Sequence, residues 1–254
     1  MTLKVDLNCD LGESFGSYVI GMDQEIIKLI TSANIACGFH AGDPRVMLRT
    51  VNMARDYGVA VGAHPGILDL VGFGRRYLAL TPEEAETDII YQVGAMLGIC
   101  RAAGVRLQHV KPHGALYNMV AKDYEVAVAV ARGIAAVDKE LIIFAQPGSA
   151  FARAGEELGL KVAYEVFADR VYNPDGTLVS RREAGAVIHD PEQASEQVLR
   201  MVLEGKVRTR NGEDIAVKAD TICVHGDNPK ALELVKTIRQ RLLDAGVDIK
   251  PVGG

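Results

Sequence analysis

A short apolar strand followed by a helical segment recurs along this chain, and no other feature of the sequence constrains the fold as strongly. The strand segments are KVDLNCD (4–10), ANIACGFH (33–40), VAVGAH (59–64), RLQHVK (106–111), LIIFAQ (141–146), KVAYEVF (161–167) and DTICVHG (220–226). Helical stretches near 22–32, 44–57, 82–103, 123–138, 148–158, 191–204 and 228–245 alternate with them. Helix starts carry Thr81-Pro82 with early acids, and Asp43-Pro44, Asp190-Pro191 and Asn228-Pro229 repeat the device. Gly58, Gly104, Gly159 and Gly246 close helices just before the next strand.

Seven β-then-α units thus tile nearly all of the 254 residues. Strict alternation implies a parallel sheet. Polar residues gather after nearly every strand, which favours a closed, TIM-barrel-like β/α barrel with one polar mouth over an open sheet with one switch point. DIKPV (248–252) leaves an eighth strand open. KVRTRNGEDIAVKA (206–219) reads as a hairpin turning at Asn211-Gly212, and 168–190 as a long loop turning at Pro174-Asp175-Gly176. Residues 1–254 read as one barrel domain.

Composition excludes several function classes. With 28 basic against 33 acidic residues and no basic stripe, nucleic acid is not an expected partner. Trp is absent and aromatics make up 6%, so there is no stacking platform for bases. The four cysteines form no C-x-x-C pair and read as buried thiols in a reducing compartment. The opening MTLKVDLNCD has no signal-peptide core, and VAVAVARGIAAV (126–137) is too short to span a bilayer. The expected location is the cytoplasm.

Side chains alternate along a strand. In the first strand Asp6, Asn8 and Asp10 share one face, and Val5, Leu7 and Cys9 the other. The apolar set belongs under the helices, so the polar set points into the barrel. A buried carboxylate without partners costs several kcal/mol, so Asp6 and Asn8 require a polar interior network. The same parity groups Asn34 with His40, Gly62 with His64, His109 with Lys111 and His113, Glu165 with Asp169, and His225 with Asp227. The later members of each set fall at C-terminal strand ends, where barrel active sites sit.

The converging set comprises the carboxylates Asp10, Glu13, Asp43, Asp169 and Asp227, the imidazoles His40, His64, His113 and His225, and the cations Lys111, Arg75, Arg76 and Arg170. Carboxylates and imidazoles move protons near neutral pH, and a lysine among them carries oxyanion or phosphate charge. Anionic neighbours would keep Lys111 charged, which argues against a Schiff base. In GFGRR (72–76), Arg75 and Arg76 on a glycine-supported loop are suited to clamping a carboxylate or phosphate. Arg181-Arg182 reads as solvated or paired to Glu183. No G-x-S-x-G elbow or P-loop occurs. A metal would need His40, His64, His225 and an Asp. His109 and His113, separated by Pro112, could not share an ion, because four strand residues span roughly 13 Å. No metal ligands are assigned.

DLNCDLGE (6–13), NIACGFHAGD (34–43), VGAHPG (61–66), GFGRR (72–76), VKPHGALYN (110–118), FADRVY (167–172) and HGDN (225–228) resemble, in order, the LamB/YcsF family. The resemblance implies a seven-stranded barrel akin to glycoside hydrolase and deacetylase barrels. It also implies the role of the A component in an ATP-dependent 5-oxoprolinase, acting with subunits B and C. That enzyme opens 5-oxo-L-proline to L-glutamate as ATP is hydrolysed; whether this chain touches ATP or a metal is left open. On that reading Asp10, Asp43 or Asp227 is the base for water, and His64, His113 or His225 the acid for the ring nitrogen. Lys111 and Arg75 would face the oxyanion or phosphate, Asn8, Glu13, Arg76 and Arg170 would bind substrate, and His40 and Asp169 would complete the site. The rival readings are a metal-dependent deacetylase-like hydrolase and a non-catalytic lactam-binding subunit.

Overall fold

In the computed structural model, which describes residues 3–225 and 229–253, seven parallel strands close into a barrel. They are β1 (Lys4–Leu11), β2 (Ser32–Ala36), β3 (Ala60–His64), β4 (Leu107–Val110), β5 (Ile142–Ala145), β6 (Lys161–Phe167) and, after a hairpin, β9 (Thr221–Val224). β9 pairs with both β6 and β1, which closes the ring. The hairpin strands β7 (Lys206–Arg208) and β8 (Asp214–Ala216) pair antiparallel around the Asn211-Gly212 turn. β10 (Asp248–Ile249) adds only two residues beside Lys4 and Val5, so the DIKPV segment extends one edge of the wall without entering the ring.

Among the described residues, eight α-helices cover the outside: α1 (Asp23–Ile26), α2 (Pro44–Asp56), α3 (Pro82–Ala102), α4 (Gly114–Lys122), α5 (Tyr124–Val137), α6 (Ala150–Glu157), α7 (Pro191–Leu199), which a π-helical turn (Arg200–Glu204) continues, and α8 (Pro229–Asp244). Thr81 and Glu84 form a reciprocal capping box at α3, and the carboxylates of Asp43 and Asp190 cap α2 and α7. Asn228 lies outside the described residues. α1 is much shorter than the helical stretch expected over 22–32, because the Thr31 and Ser32 hydroxyls are drawn to the Asp6 carboxylate and the chain enters β2 there. None of these helices is long and apolar enough to cross a membrane, among the described residues. All four cysteines are free and buried.

Strand parity sorts the interior as the sequence requires. Val5, Leu7, Cys9 and Leu11 pack under the helices in one large apolar cluster. Asp6, Asn8 and Asp10 turn inward and meet partners on other strands. At the floor, Asp6 accepts from Thr31, Ser32 and Thr221. Above it, Asn8 donates to Thr221 Oγ1 (2.7 Å) and accepts from Asn34 Nδ2 (2.8 Å). Asn34 Oδ1 lies 2.9 Å from His109 Nε2, and the His109 ring stacks flat on Phe144 at 4.1 Å. Gly62 makes room for that ring, since a Cβ there would stand 2.1 Å from it. The barrel is therefore filled by a hydrogen-bonded polar ladder that rises to the mouth.

Burial pushes the Asp6 carboxyl up to about 6, against the pull of its three hydroxyl donors. The folded chain thus holds this proton more tightly than the unfolded chain, where the value is 3.8. Its stabilising contribution is full below that value and is lost as pH rises through about 6. Between about pH 4 and about pH 6.5 the wild type should lose roughly 2–3 kcal/mol of unfolding free energy relative to Asp6→Asn. Urea unfolding followed by circular dichroism measures the difference; a pH-independent gap would contradict it.

Candidate functional site

The mouth is built around Lys111. β4 ends at Val110, yet the backbone stays extended and hydrogen-bonded beside β3, with Lys111 N–H donating to Ala63 and His113 N–H to Pro65. Parity therefore carries on past the strand, and both side chains point inward. The Lys111 ammonium lies 2.8 Å from Glu165 Oε1, 3.1 Å from Asp10 Oδ1, 3.2 Å from Asn8 Oδ1 and 3.1 Å from Cys223 Sγ. Burial opposes its charge, but the anionic surroundings led by Asp10 outweigh that and hold it well above the ordinary lysine range. Asp10 mirrors it. Burial works against its charge, while His64 and Lys111 hold the carboxyl well below the usual range. Asp10 Oδ2 is 3.3 Å from His64 Nε2.

Three histidines pack against this pair. His40 is fully buried and lies flat on His113, ring centres 3.7 Å apart; His64 meets both edge-on. β2 stops at Ala36, so His40 arrives on the following loop and owes its position to that loop, not to strand parity. The GFGRR loop covers the stack. Phe73 sits at φ 54, a strained value for a non-glycine residue, which places its carbonyl 2.8 Å from His113 Nε2. Gly74 is pressed on the stack, where a Cβ would stand 2.7 Å from His40 Cβ. Glu13 Oε1 lies 3.7 Å from His40 Nε2 and 3.8 Å from His113 Nδ1, and burial with the nearby Asp10 charge pushes its carboxyl up to about 8. Glu13, His40, His64 and His113 bring ligand atoms within 4.8 Å of one another, a group able to hold a metal ion.

Above Asp10 and Lys111 opens a cavity of about 480 Å³. Tyr117, Phe167 and Leu178 give it an apolar wall, and Arg75, Lys122, Arg170, Arg181 and Arg182 a cationic rim. The 168–190 loop builds much of that rim through short bridges, Arg170 to Val187 and Tyr172 to Leu178. Arg170 is buried, donates to the Val179 carbonyl and has no hydrogen-bond partner at Nε among the described residues. On the same side His225 Nδ1 lies 2.8 Å from Asp169 Oδ2, and Arg181 donates to His225 Nε2 at 3.0 Å.

Comparison with known proteins agrees with this architecture. The family model for LamB/YcsF matches residues 5–254. The chain belongs to the LamB/YcsF family. It is 59% identical to a protein of Thermococcus onnurineus named as the A subunit of 5-oxoprolinase, over 99% of this chain and 98% of the relative. A Bacillus licheniformis protein of the same name is 58% identical, over 97% of this chain and 98% of its own length. Among solved structures, a lactam utilization protein from Thermus thermophilus superimposes with a TM-score of 0.94 at 48% identity, covering 98% of this chain and 99% of that one. A more distant barrel from Enterococcus faecalis, with a TM-score of 0.58 at 13% identity over 98% of this chain and 97% of that one, shows the fold alone.

Within this LamB/YcsF barrel the expected residues separate into groups. Asp10, His64, Lys111, His113, Arg75, Arg170 and His225 line the cavity. His40, Glu13 and Asp169 stand directly behind them. Asp43 is committed elsewhere: its carboxylate accepts from the N–H groups of Arg45 and Val46 at the start of α2 and from Gly16, and these backbone bonds lower its pKa. Arg76 turns away from Arg75 and pairs with Asp69, so the two do not clamp one anion. Asn8 lies below the cavity in the polar ladder, positioning Lys111 and not lining the site. His225 is tied to Asp169 and Arg181 and stands outside the Glu13–His113 group, which contradicts the metal set drawn from His40, His64, His225 and an Asp. Asp227 lies outside the described residues. The sequence places Glu165 inward with Asp169 but outside the converging set, does not single out Tyr117, and marks Arg181-Arg182 as solvated or paired to Glu183 and not as part of the cavity. Glu165 had the correct parity, whereas the arginines come in on a loop whose path no periodicity encodes.

Lys111 neutralises Asp10 and Glu165 at once. Lys111→Met should cost about 3–5 kcal/mol by stranding buried carboxylate charge, and adding Glu165→Gln should recover part of that loss. Thermal and urea unfolding of the two variants provide the check; a Lys111→Met chain as stable as wild type would contradict the assignment.

Proposed function

We propose that this chain is the A component of an ATP-dependent 5-oxoprolinase, that residues 1–254 act as one barrel domain, and that its mouth takes 5-oxo-L-proline for opening to L-glutamate. The observation that carries the reading is the 59% identity, over almost the whole chain, to a protein named as the A subunit of 5-oxoprolinase. The cavity suits it. A five-membered lactam fits easily in about 480 Å³, the apolar wall of Tyr117, Phe167 and Leu178 takes its methylenes, and the arginine rim takes its carboxylate. A neutral acylated sugar, the substrate of the deacetylase-like reading, would leave that cationic rim without a counter-charge.

A neutral amide is a poor electrophile. Phosphorylation of the lactam oxygen, with ATP as donor, lowers the barrier, and this step is assigned to the complex with partner subunits B and C. Water then adds to the carbonyl carbon. Asp10, held ionised by Lys111 and His64, takes the proton of the attacking water and passes it to the ring nitrogen as the C–N bond breaks, which leaves the carbon as an acyl phosphate; a second water cleaves that acyl phosphate and releases L-glutamate and inorganic phosphate. The Lys111 ammonium, with Arg75, faces the charge that develops on oxygen. His225, oriented by Asp169, positions Arg181 on the carboxylate.

The test is glutamate release and ADP formation by the complex reconstituted with subunits B and C. Asp10→Asn should lower kcat by about 100-fold or more while 5-oxoproline binding persists. Arg181→Ala should raise KM roughly 10-fold with kcat little changed. Turnover that survives Asp10→Asn while binding falls would show a lactam-binding subunit whose partners do the chemistry. Cleavage of N-acetyl sugars without action on 5-oxoproline would favour the deacetylase-like reading.

A further inference from the structure

Two histidine nitrogens in the mouth face each other, and in neutral rings neither carries a proton. His64 Nδ1 lies 2.7 Å from the Lys111 carbonyl, and His113 Nε2 lies 2.8 Å from the Phe73 carbonyl. A carbonyl oxygen only accepts, so these two nitrogens carry the ring protons. In neutral rings the other two nitrogens, His64 Nε2 and His113 Nδ1, are bare lone pairs, and they stand 2.9 Å apart. That contact is repulsive unless a cation lies between them. Further unmet donors collect at the same place. His40 is wholly buried with no hydrogen-bond partner at either nitrogen among the described residues, and its Nε2 faces Glu13 Oε1 at 3.7 Å.

We propose that Glu13, His64 and His113, with His40 as fourth donor, bind a single divalent transition-metal ion of the zinc type. A proton shared by His64 and His113 would relieve that one contact and leave His40 and Glu13 unserved, whereas one metal ion serves all four. Three imidazoles and a carboxylate form a borderline donor set that suits zinc or cobalt and ill suits magnesium or calcium, which favour oxygen shells. Both His64 and His113 already donate their outer N–H to a backbone carbonyl, the arrangement that fixes the tautomer of a metal-bound imidazole. The strained Phe73 backbone acquires a purpose here, since its carbonyl sets the His113 tautomer. His40 and His113 lie parallel, so His40 joins the ion only as its ring tilts off the stack; Glu13, His64 and His113 are the core set.

The site can be tested without substrate, so its failure would leave the lactam reading untouched. The full chain, stripped by dialysis against a pyridine dicarboxylate, is titrated with Zn²⁺ and separately with Co²⁺, and bound metal is counted by mass spectrometry after gel filtration. The expected result is one ion per chain, no displacement of zinc by excess Mg²⁺, and an intense visible absorption from the cobalt form. Glu13→Gln and His113→Ala should each weaken zinc binding by roughly 100-fold or more, with the far-ultraviolet circular dichroism unchanged. Should His113→Ala fail to fold, Glu13→Gln and His40→Gln carry the comparison. A chain that retains less than a tenth of an equivalent of zinc, or folded variants that bind it as tightly as wild type, would overturn the proposal.

Discussion

A single buried ammonium holds this barrel mouth together. Lys111 lies against the carboxylates of Asp10 and Glu165 and an amide oxygen of Asn8, with almost no exposure of its own. Burying any one of these charges alone would cost several kcal/mol. Together they compensate, and each fixes the position of the next. Asn8 is held by Asn34 and Thr221, and Thr221 is shared with Asp6, so the charge at the mouth is connected to the floor by an unbroken chain of hydrogen bonds. Most parallel barrels fill the same space with branched aliphatic layers. Here the interior is a polar scaffold, and it aims a lysine.

The scaffold also explains why the functional groups divide into two walls. On the β2–β4 side, the buried histidines pack against the Phe73–Gly74 backbone, with Glu13 half-buried beside them. On the β6–β9 side, a folded loop presents Arg170, Arg181 and Arg182 around His225. Asp10 and Lys111 stand between the walls at the base of the cavity. A small anionic amide placed there would have its carboxylate near the arginines and its carbonyl near the lysine. The histidine group would lie on the opposite flank.

Much of this was legible in the sequence because strands impose a period of two. Alternation placed Asp6, Asn8 and Asp10 inside and Leu7 and Cys9 outside, and it extended correctly through Pro112 to His113 because that segment stays paired with β3. The alternation of strands and helices gave a closed ring with seven members, and the doubtful eighth is a two-residue extension beside Lys4. What failed lies in loops, where no period operates. Asp43 carries a recognisable cap signal before Pro44, and its carboxylate is consumed by that cap. The adjacent Arg75 and Arg76 diverge because Asp69, four residues before Phe73, captures one of them. Arg181 and Arg182 are solvent-exposed, as they read, but no period showed that their loop also sets them at the rim of the cavity. The left-handed Phe73 leaves no mark in composition, since its conformation is enforced by what it packs against.

The polar scaffold depends on Lys111 staying charged while buried. Nitrogen-15 NMR of the lysine side chains, with Lys111→Arg to assign the signal, measures this directly. The expected Lys111 Nζ resonance keeps its ammonium shift from neutral pH to beyond about pH 10, above the point at which an unperturbed lysine begins to lose its proton. A signal that converts to the neutral amine near or below pH 8 would show that the carboxylates do not hold this charge, and the polar scaffold would need another explanation.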